Sequence, residues 1–222
     1  MSLLPCVEHE TAAAPRFSIL WLHGLGADGN DFAPLVPELV APHWPALRFV
    51  FPHAPVRPVT LNGGMPMRAW YDITGTDLAD KQDEPGIRQS IDALEALIAR
   101  EIERGVPAQR ILLAGFSQGG AIALATALRH AEPLGGLIAL STYLPLHEKT
   151  ATETTAANRD IPLFQAHGSA DPVVAPVLGD MTRDWLTGAG YTVDWHTYPM
   201  GHQVCAQEIA DLGHWLEARF TA

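Results

Sequence analysis

The stretch Arg110-Ile111-Leu112-Leu113-Ala114-Gly115-Phe116-Ser117-Gln118-Gly119-Gly120-Ala121-Ile122-Ala123-Leu124-Ala125-Thr126-Ala127-Leu128 decides the fold. Residues 110–114 are an apolar run of strand length, and residues 121–128 are small and apolar almost throughout, as in a helix buried directly behind a strand. Between them Ser117 stands in a Gly-x-Ser-x-Gly turn, flanked by Gly115 and Gly119. Such a turn from strand to helix is sharp and strained, and any side chain at the flanking positions would strike the neighbouring strand or helix, which glycine avoids. A phosphate loop does not fit, because no lysine follows these glycines and no GxGxxG occurs.

Working outward, the same grammar repeats. Phe17–Leu22 runs into His23-Gly24-Leu25-Gly26, residues 47–51 into Pro52-His53-Ala54-Pro55, residues 137–140 into Ser141-Thr142-Tyr143, and residues 162–166 into His167-Gly168. These runs are apolar on both faces, as buried parallel strands are. Residues 191–198 instead alternate through Val193, Trp195 and Thr197, which suggests a strand nearer the sheet edge. Ile87, Ile91, Leu94, Ile98 and Ile102 recur at helical steps, with Pro85 suited to a first turn and Gly105 to the residue past the end. Cys205, Ile209, Leu212 and Leu216 make one face of a C-terminal helix. Strands alternating with helices predict an α/β fold, a mainly parallel central sheet with helices on both faces. Ligands and chemistry then gather at the carboxyl ends of the strands. Residues 54–84, rich in Pro and Gly, have no clear period and read as a long excursion from the sheet. No linker or repeat divides the chain, so residues 1–222 are expected to form one domain.

Bulk composition narrows the function. The net charge is −11, from 14 basic and 25 acidic residues, which argues against binding a phosphate backbone, so no nucleic-acid partner is expected. No apolar run approaches the roughly 18 residues of a membrane span. Residues 1–15 lack a basic segment followed by a long apolar one, and the cytoplasm is the expected location. Cys6 and Cys205 read as free thiols, since neither lies in a CxxC. The 10 histidines include no HExxH, and His130, His147 and His196 lack ligand-like neighbours; surface or capping roles are expected, with no metal.

A serine hydroxyl is a weak nucleophile and needs a base, and that base needs a group to orient it. Where the nucleophile sits on such an elbow, the chain order is serine, acid, histidine. His130 ends the helix after the serine, His196 lies within a strand and His214 inside the last helix. His202, in Pro199-Met200-Gly201-His202, falls in the loop after the last strand, at the sheet end that can reach Ser117. For the acid, His167-Gly168-Ser169-Ala170-Asp171-Pro172 follows a strand and offers one carboxylate in a turn, Asp171. Asp160 precedes its strand, Asp180 and Asp184 fall in the next helix, and Asp194 lies within the edge strand. The oxyanion of an acyl-transfer intermediate needs two backbone N–H donors. Gln118, the residue after the serine, is expected to supply one, and Leu25, in the first strand-to-helix loop, the other.

With His23-Gly24-Leu25-Gly26-Ala27-Asp28-Gly29-Asn30-Asp31-Phe32, Gly115-Phe116-Ser117-Gln118-Gly119-Gly120, Leu140-Ser141-Thr142-Tyr143 and Gly201-His202 in hand, the chain resembles the small carboxylesterase and acyl-protein thioesterase family over nearly its whole length. The bacterial carboxylesterase branch shares residues 57–64 and Trp70-Tyr71-Asp72-Ile73 with small changes at most. The resemblance implies an eight-stranded-type α/β-hydrolase fold with no large lid domain, no cofactor, and frequent homodimers. It also implies hydrolysis of short- to medium-chain esters, with thioesters, acylated proteins or lysophospholipids as alternative substrates. Its triad falls on Ser117, Asp171 and His202. From another class, a catalytically silent hydrolase-fold binding protein would have lost a triad residue, and none is lost here. The excursion, with Leu61, Met65, Met67, Trp70 and Tyr71, is too apolar for a solvated loop and is expected to wall the acyl pocket; by family analogy Leu144 lines it too.

Overall fold

A computed structural model describes residues 3–75 and 82–220. In chain order its strands are β1 Cys6–Glu10, β2 Phe17–Leu22, β3 Leu47–Pro52, β4 Val56–Val59, β5 Met65–Arg68, β6 Ile111–Phe116, β7 Gly136–Leu140, β8 Leu163–Gly168 and β9 Val193–Tyr198. The helices are α1 Val36–Leu39, α2 Glu84–Glu103, α3 Gln118–Ala127, α4 His147–Glu153, α5 Pro176–Gly188 and α6 Ala206–Phe220. A 7-stranded sheet runs in the order β1-β3-β2-β6-β7-β8-β9, parallel throughout except for β1, which pairs antiparallel with β3. The fold is the mainly parallel α/β-hydrolase sandwich predicted from sequence, and the described residues include no large lid domain.

Period-2 alternation explains why the central strands are apolar on both faces. Leu20 and Leu22 of β2, Leu113 of β6 and Leu137 of β7 face the layer built from α2, α3 and α5. Ile19, Trp21, Leu112 and Ile138 face the layer of α1 and α6. Helix α3 is buried at every position, which accounts for its lack of a polar face. Helix α2 is capped by Asp83, whose side chain accepts from Gly86 N–H; it carries Pro85 in its first turn and is followed by Gly105 at φ +93°. The sheet turns from one direction of winding to the other between β2 and β6, so the loop after β2 and the start of α3 meet at the switch point where such sheets bind ligands.

Three features depart from the sequence-based expectation. The sheet has 7 strands rather than the eight implied by resemblance. Strand β1 went unpredicted because Cys-Val-Glu-His-Glu carries no apolar run; it is an edge strand whose Glu8 and Glu10 pair with Arg100, Arg104 and Arg48. The excursion is partly ordered as a β4–β5 hairpin, closed by Gly63 and Gly64 at φ +67° and +78°. Its signal was hidden because Pro58 and Pro66 face each other across it, tolerable only in a ribbon with no further strand to pair.

Candidate active site

Ser117 sits between β6 and α3 with φ 54° and ψ −122°, a conformation that costs about 1–3 kcal/mol outside glycine and persists only when its surroundings fix it. Here its N–H donates to Leu140 O at 2.9 Å, and its carbonyl accepts from Ala121 N–H at 3.1 Å and Thr142 Oγ1 at 2.6 Å. The flanking glycines are sterically obligatory. A Cβ on Gly115 would lie 2.5 Å from Gly120 N, and one on Gly119 would lie 2.5 Å from His23 O.

Across the sheet end, His202 Nδ1 lies 2.7 Å from Asp171 Oδ2. Asp171 Oδ1 accepts from Val173 N–H at 2.8 Å and Val174 N–H at 3.0 Å, so the buried carboxylate folds its own turn around itself. Donation from Nδ1 to the carboxylate leaves Nε2 of His202 as the basic nitrogen. The imidazole packs on Phe116, ring centroids 4.6 Å apart, which seats it beside the nucleophile's neighbour. No hydrogen bond joins Ser117 Oγ to His202 among the described residues; in free hydrolases this bond is often long and tightens with substrate. His167, buried behind the acid, has Nε2 3.6 Å from Asp171 Oδ2 and 2.9 Å from Val174 O. The histidines were expected at the surface or in caps; His23, His130 and His167 are instead buried, because each finds a polar partner inside.

The loop after β2 reaches the same place. A Cβ on Gly24 would lie 3.5 Å from Ser117 Cβ. Gly26 N–H donates to Arg68 O at 2.9 Å, whereas Leu25 N–H has no acceptor among the described residues. His23 fixes that peptide: its Nδ1 lies 2.7 Å from Gly24 O, and its Nε2 accepts from Ala54 N–H at 3.1 Å, an arrangement that only the neutral ring can make. Burial holds the His23 imidazole below its usual pKa, in keeping with that tautomer. Because Gly24 O and Leu25 N–H share one trans peptide, the bond from His23 aims the Leu25 N–H the opposite way. Gln118 opens α3, where a backbone N–H has no partner within the helix.

Of the residues expected to line an acyl pocket, Met67 comes to the loop: its Sδ would lie 4.0 Å from a Cβ on Gly26. Leu61 and Met65 are exposed on the hairpin, at 42% and 61%. Trp70 and Tyr71 are not free wall but core, 1% and 2% exposed. Their polar atoms require interior partners, and find them. Trp70 Nε1 donates to His23 O at 2.9 Å, and Tyr71 Oη meets Tyr143 Oη at 2.7 Å, a pair in which burial pushes Tyr143 up to about 12. Leu144 is buried, its N–H on Thr182 Oγ1 at 2.8 Å, and borders a small cavity of about 100 Å³ with Tyr143, Leu178, Met181 and Trp185. Sequence reasoning missed the structural parts played by His23, Thr142 and the Gln118 side chain; only the His-Gly pair offered any local signal. Among the described residues, no group of three or more His, Cys, Asp or Glu could hold a metal ion, and no helix is long and apolar enough to cross a membrane.

The chain as a whole has clear relatives among known proteins. The profile of the phospholipase/carboxylesterase family matches residues 7–219. Acyl-protein thioesterase 1 of Mycosarcoma maydis is 41% identical, over 95% of this chain and 94% of its own; the Neurospora crassa acyl-protein thioesterase 1 is 42% identical, over 98% and 90%. Among solved structures, Arabidopsis thaliana SOBER1 superposes with a TM-score of 0.87 at 30% identity, covering 92% of this chain and 99% of its own. Zea mays acyl-protein thioesterase 2 does so with a TM-score of 0.81 at 29% identity, covering 96% and 99%.

Proposed function

The chain belongs to the phospholipase/carboxylesterase family, and from that premise we propose that it hydrolyses short- to medium-chain carboxylic esters and thioesters through an acyl-enzyme on Ser117. The observation that carries this is the 2.7 Å pair of His202 and Asp171, packed against the residue preceding the strained serine. In this reading His202 Nε2 takes the proton of Ser117 Oγ as the oxygen attacks the acyl carbon. Leu25 and Gln118 N–H hold the resulting oxyanion. Collapse expels the alcohol or thiol, which leaves with the proton from His202. A water then attacks the acyl-enzyme, giving its proton to the same imidazole, and the carboxylic acid departs as Ser117 is regenerated. Asp171 keeps the imidazole in one tautomer and steadies it when protonated.

An acylated protein as substrate is the second reading, favoured by the names of the thioesterase relatives. The same proposal includes a cytoplasmic location and a homodimer, which fractionation and light scattering of the purified chain would check. The decisive experiment is Ser117→Ala, assayed on p-nitrophenyl esters and an acyl thioester and labelled with a fluorophosphonate. Turnover should fall by several orders of magnitude, up to roughly 10⁶, with labelling lost. A variant that kept a tenth of wild-type turnover would remove Ser117 as nucleophile.

A further inference from the structure

Trp70 touches both halves of the site that the preceding reading assigns to the oxyanion. Its indole Nε1–H donates to His23 O at 2.9 Å, at the base of the loop that presents Leu25 N–H. Its backbone N–H donates to Gln118 Oε1 at 2.7 Å, and the other end of that amide, Nε2, donates to Tyr71 O at 2.8 Å. The Gln118 side chain is therefore used up in gripping the backbone of residues 70–71. The Trp70 carbonyl accepts from Ser90 Oγ of α2, so the tryptophan is itself anchored to the helix layer. Its ring packs on the His23 ring at 5.3 Å, and the side chain is 1% exposed.

The bonds to His23 and Gln118 join segments that lie 47 and 48 residues apart in sequence. Loop 23–26 follows β2 and Gln118 starts α3; their backbones pack closely, an added Cβ on Gly119 lying 2.5 Å from His23 O, and Trp70 bonds to both sides of that contact. An oxyanion hole works because its donors are fixed beforehand at the spacing the tetrahedral oxygen requires, so a displacement of either donor weakens the transition state more than it weakens substrate binding. Resting on the assignment of Leu25 and Gln118 as donors, we propose that Trp70, gripped by the Gln118 amide, is a positioning residue that holds the two halves of the oxyanion hole in register. It acts through hydrogen bonds at its two nitrogens and touches no substrate.

The test uses Trp70→Phe, which keeps an aromatic ring but lacks the indole donor, and Gln118→Met, which keeps the shape but lacks the amide grip. Four quantities are measured on the full chain with p-nitrophenyl butyrate as substrate. They are kcat, KM, the inhibition constant of an alkyl trifluoromethyl ketone, which forms an oxyanion on the serine, and that of the alcohol of the same chain length, which does not. Each variant should lose about tenfold or more in kcat and a like factor in trifluoromethyl ketone affinity, with KM and alcohol binding within about twofold. Ile91→Val, a core substitution in the same cluster, should lower the melting temperature without moving any of the four. If Trp70→Phe fails to fold, Gln118→Met carries the same reading. A folded variant with unchanged kcat, or one in which alcohol binding falls in step with kcat, overturns the positioning role. Persistent turnover in Ser117→Ala would instead overturn the hydrolase assignment on which it rests.

Discussion

Asp171 and His202 are joined through one carboxylate oxygen, Oδ2, 2.7 Å from Nδ1, while the other oxygen ties down the N–H groups of Val173 and Val174. One side chain thus orients the base and builds the turn that carries the acid itself. Asp171→Asn keeps the shape but offers an amide where the imidazole N–H needs an acceptor, and the comparable change in a serine protease costs about 10⁴ in kcat. Asp184, 67% exposed at its side chain and paired with Arg183, should tolerate the same change. Steady-state kinetics on the two asparagine variants separates them; a larger loss for Asp184→Asn would relocate the acid.

Met67 and Tyr71 came from one stretch of sequence but sit in different environments, and their substitutions should diverge. Met67 Sδ overhangs the Gly26 loop, so Met67→Ala should remove part of the gain per acyl methylene, up to about 0.8 kcal/mol each, and shift the preferred chain length. Tyr71→Phe leaves the Tyr143 hydroxyl buried without its partner and should cost about 1–3 kcal/mol in stability with the acyl profile unchanged. The values of kcat/KM from acetate to palmitate esters, alongside urea unfolding, decide both.

Gly115 and Gly188 make a paired test of the elbow. A methyl group on Gly115 would drive into the backbone of the Gly119–Gly120 turn, with Gly120 N only 2.5 Å away, and nothing flexible there can yield. Gly115→Ala should therefore be recovered poorly, or unfold many degrees below wild type. At Gly188, the last residue of α5, an added Cβ meets nothing within 4 Å. Gly188→Ala should stabilise by about 0.4–1 kcal/mol, mainly by restricting the unfolded chain. Thermal unfolding of the purified variants reads both, and a neutral Gly115→Ala would contradict the packing described at the elbow.

Glu208, in the first turn of α6, is fully buried near Tyr198, and burial pushes its carboxyl up to about 8. From its ordinary value of 4.5 up to about 8, the folded chain keeps a proton that the unfolded chain releases, so this group's contribution to stability falls as pH rises across that window. The slope is at most about 1.4 kcal/mol per pH unit. Glu208→Gln removes the titration and keeps the shape. Its melting temperature should exceed that of wild type at pH 8, with the gap closing toward pH 5. Equal gaps at the two pH values would rule out a proton on Glu208.

The amino-acid sequence by itself determined the elbow at Ser117, the strands that feed it, the loop positions of Asp171 and His202, and helices α2, α3 and α6. All of these rest on short-range features: an apolar period, a proline or glycine at a terminus, a glycine two residues from a serine. It did not determine β1 or the β4–β5 hairpin, where charged and proline residues carry no strand period and pairing alone makes the strand. Nor did it determine what Trp70 does, which from composition reads as pocket wall. Its partners His23 and Gln118 lie 47 and 48 residues away, and no local pattern encodes bonds of that span. Only the closing of the sheet brings the three together, because a buried indole N–H and a buried amide must find acceptors and donors inside, and the tertiary structure decides which are within reach.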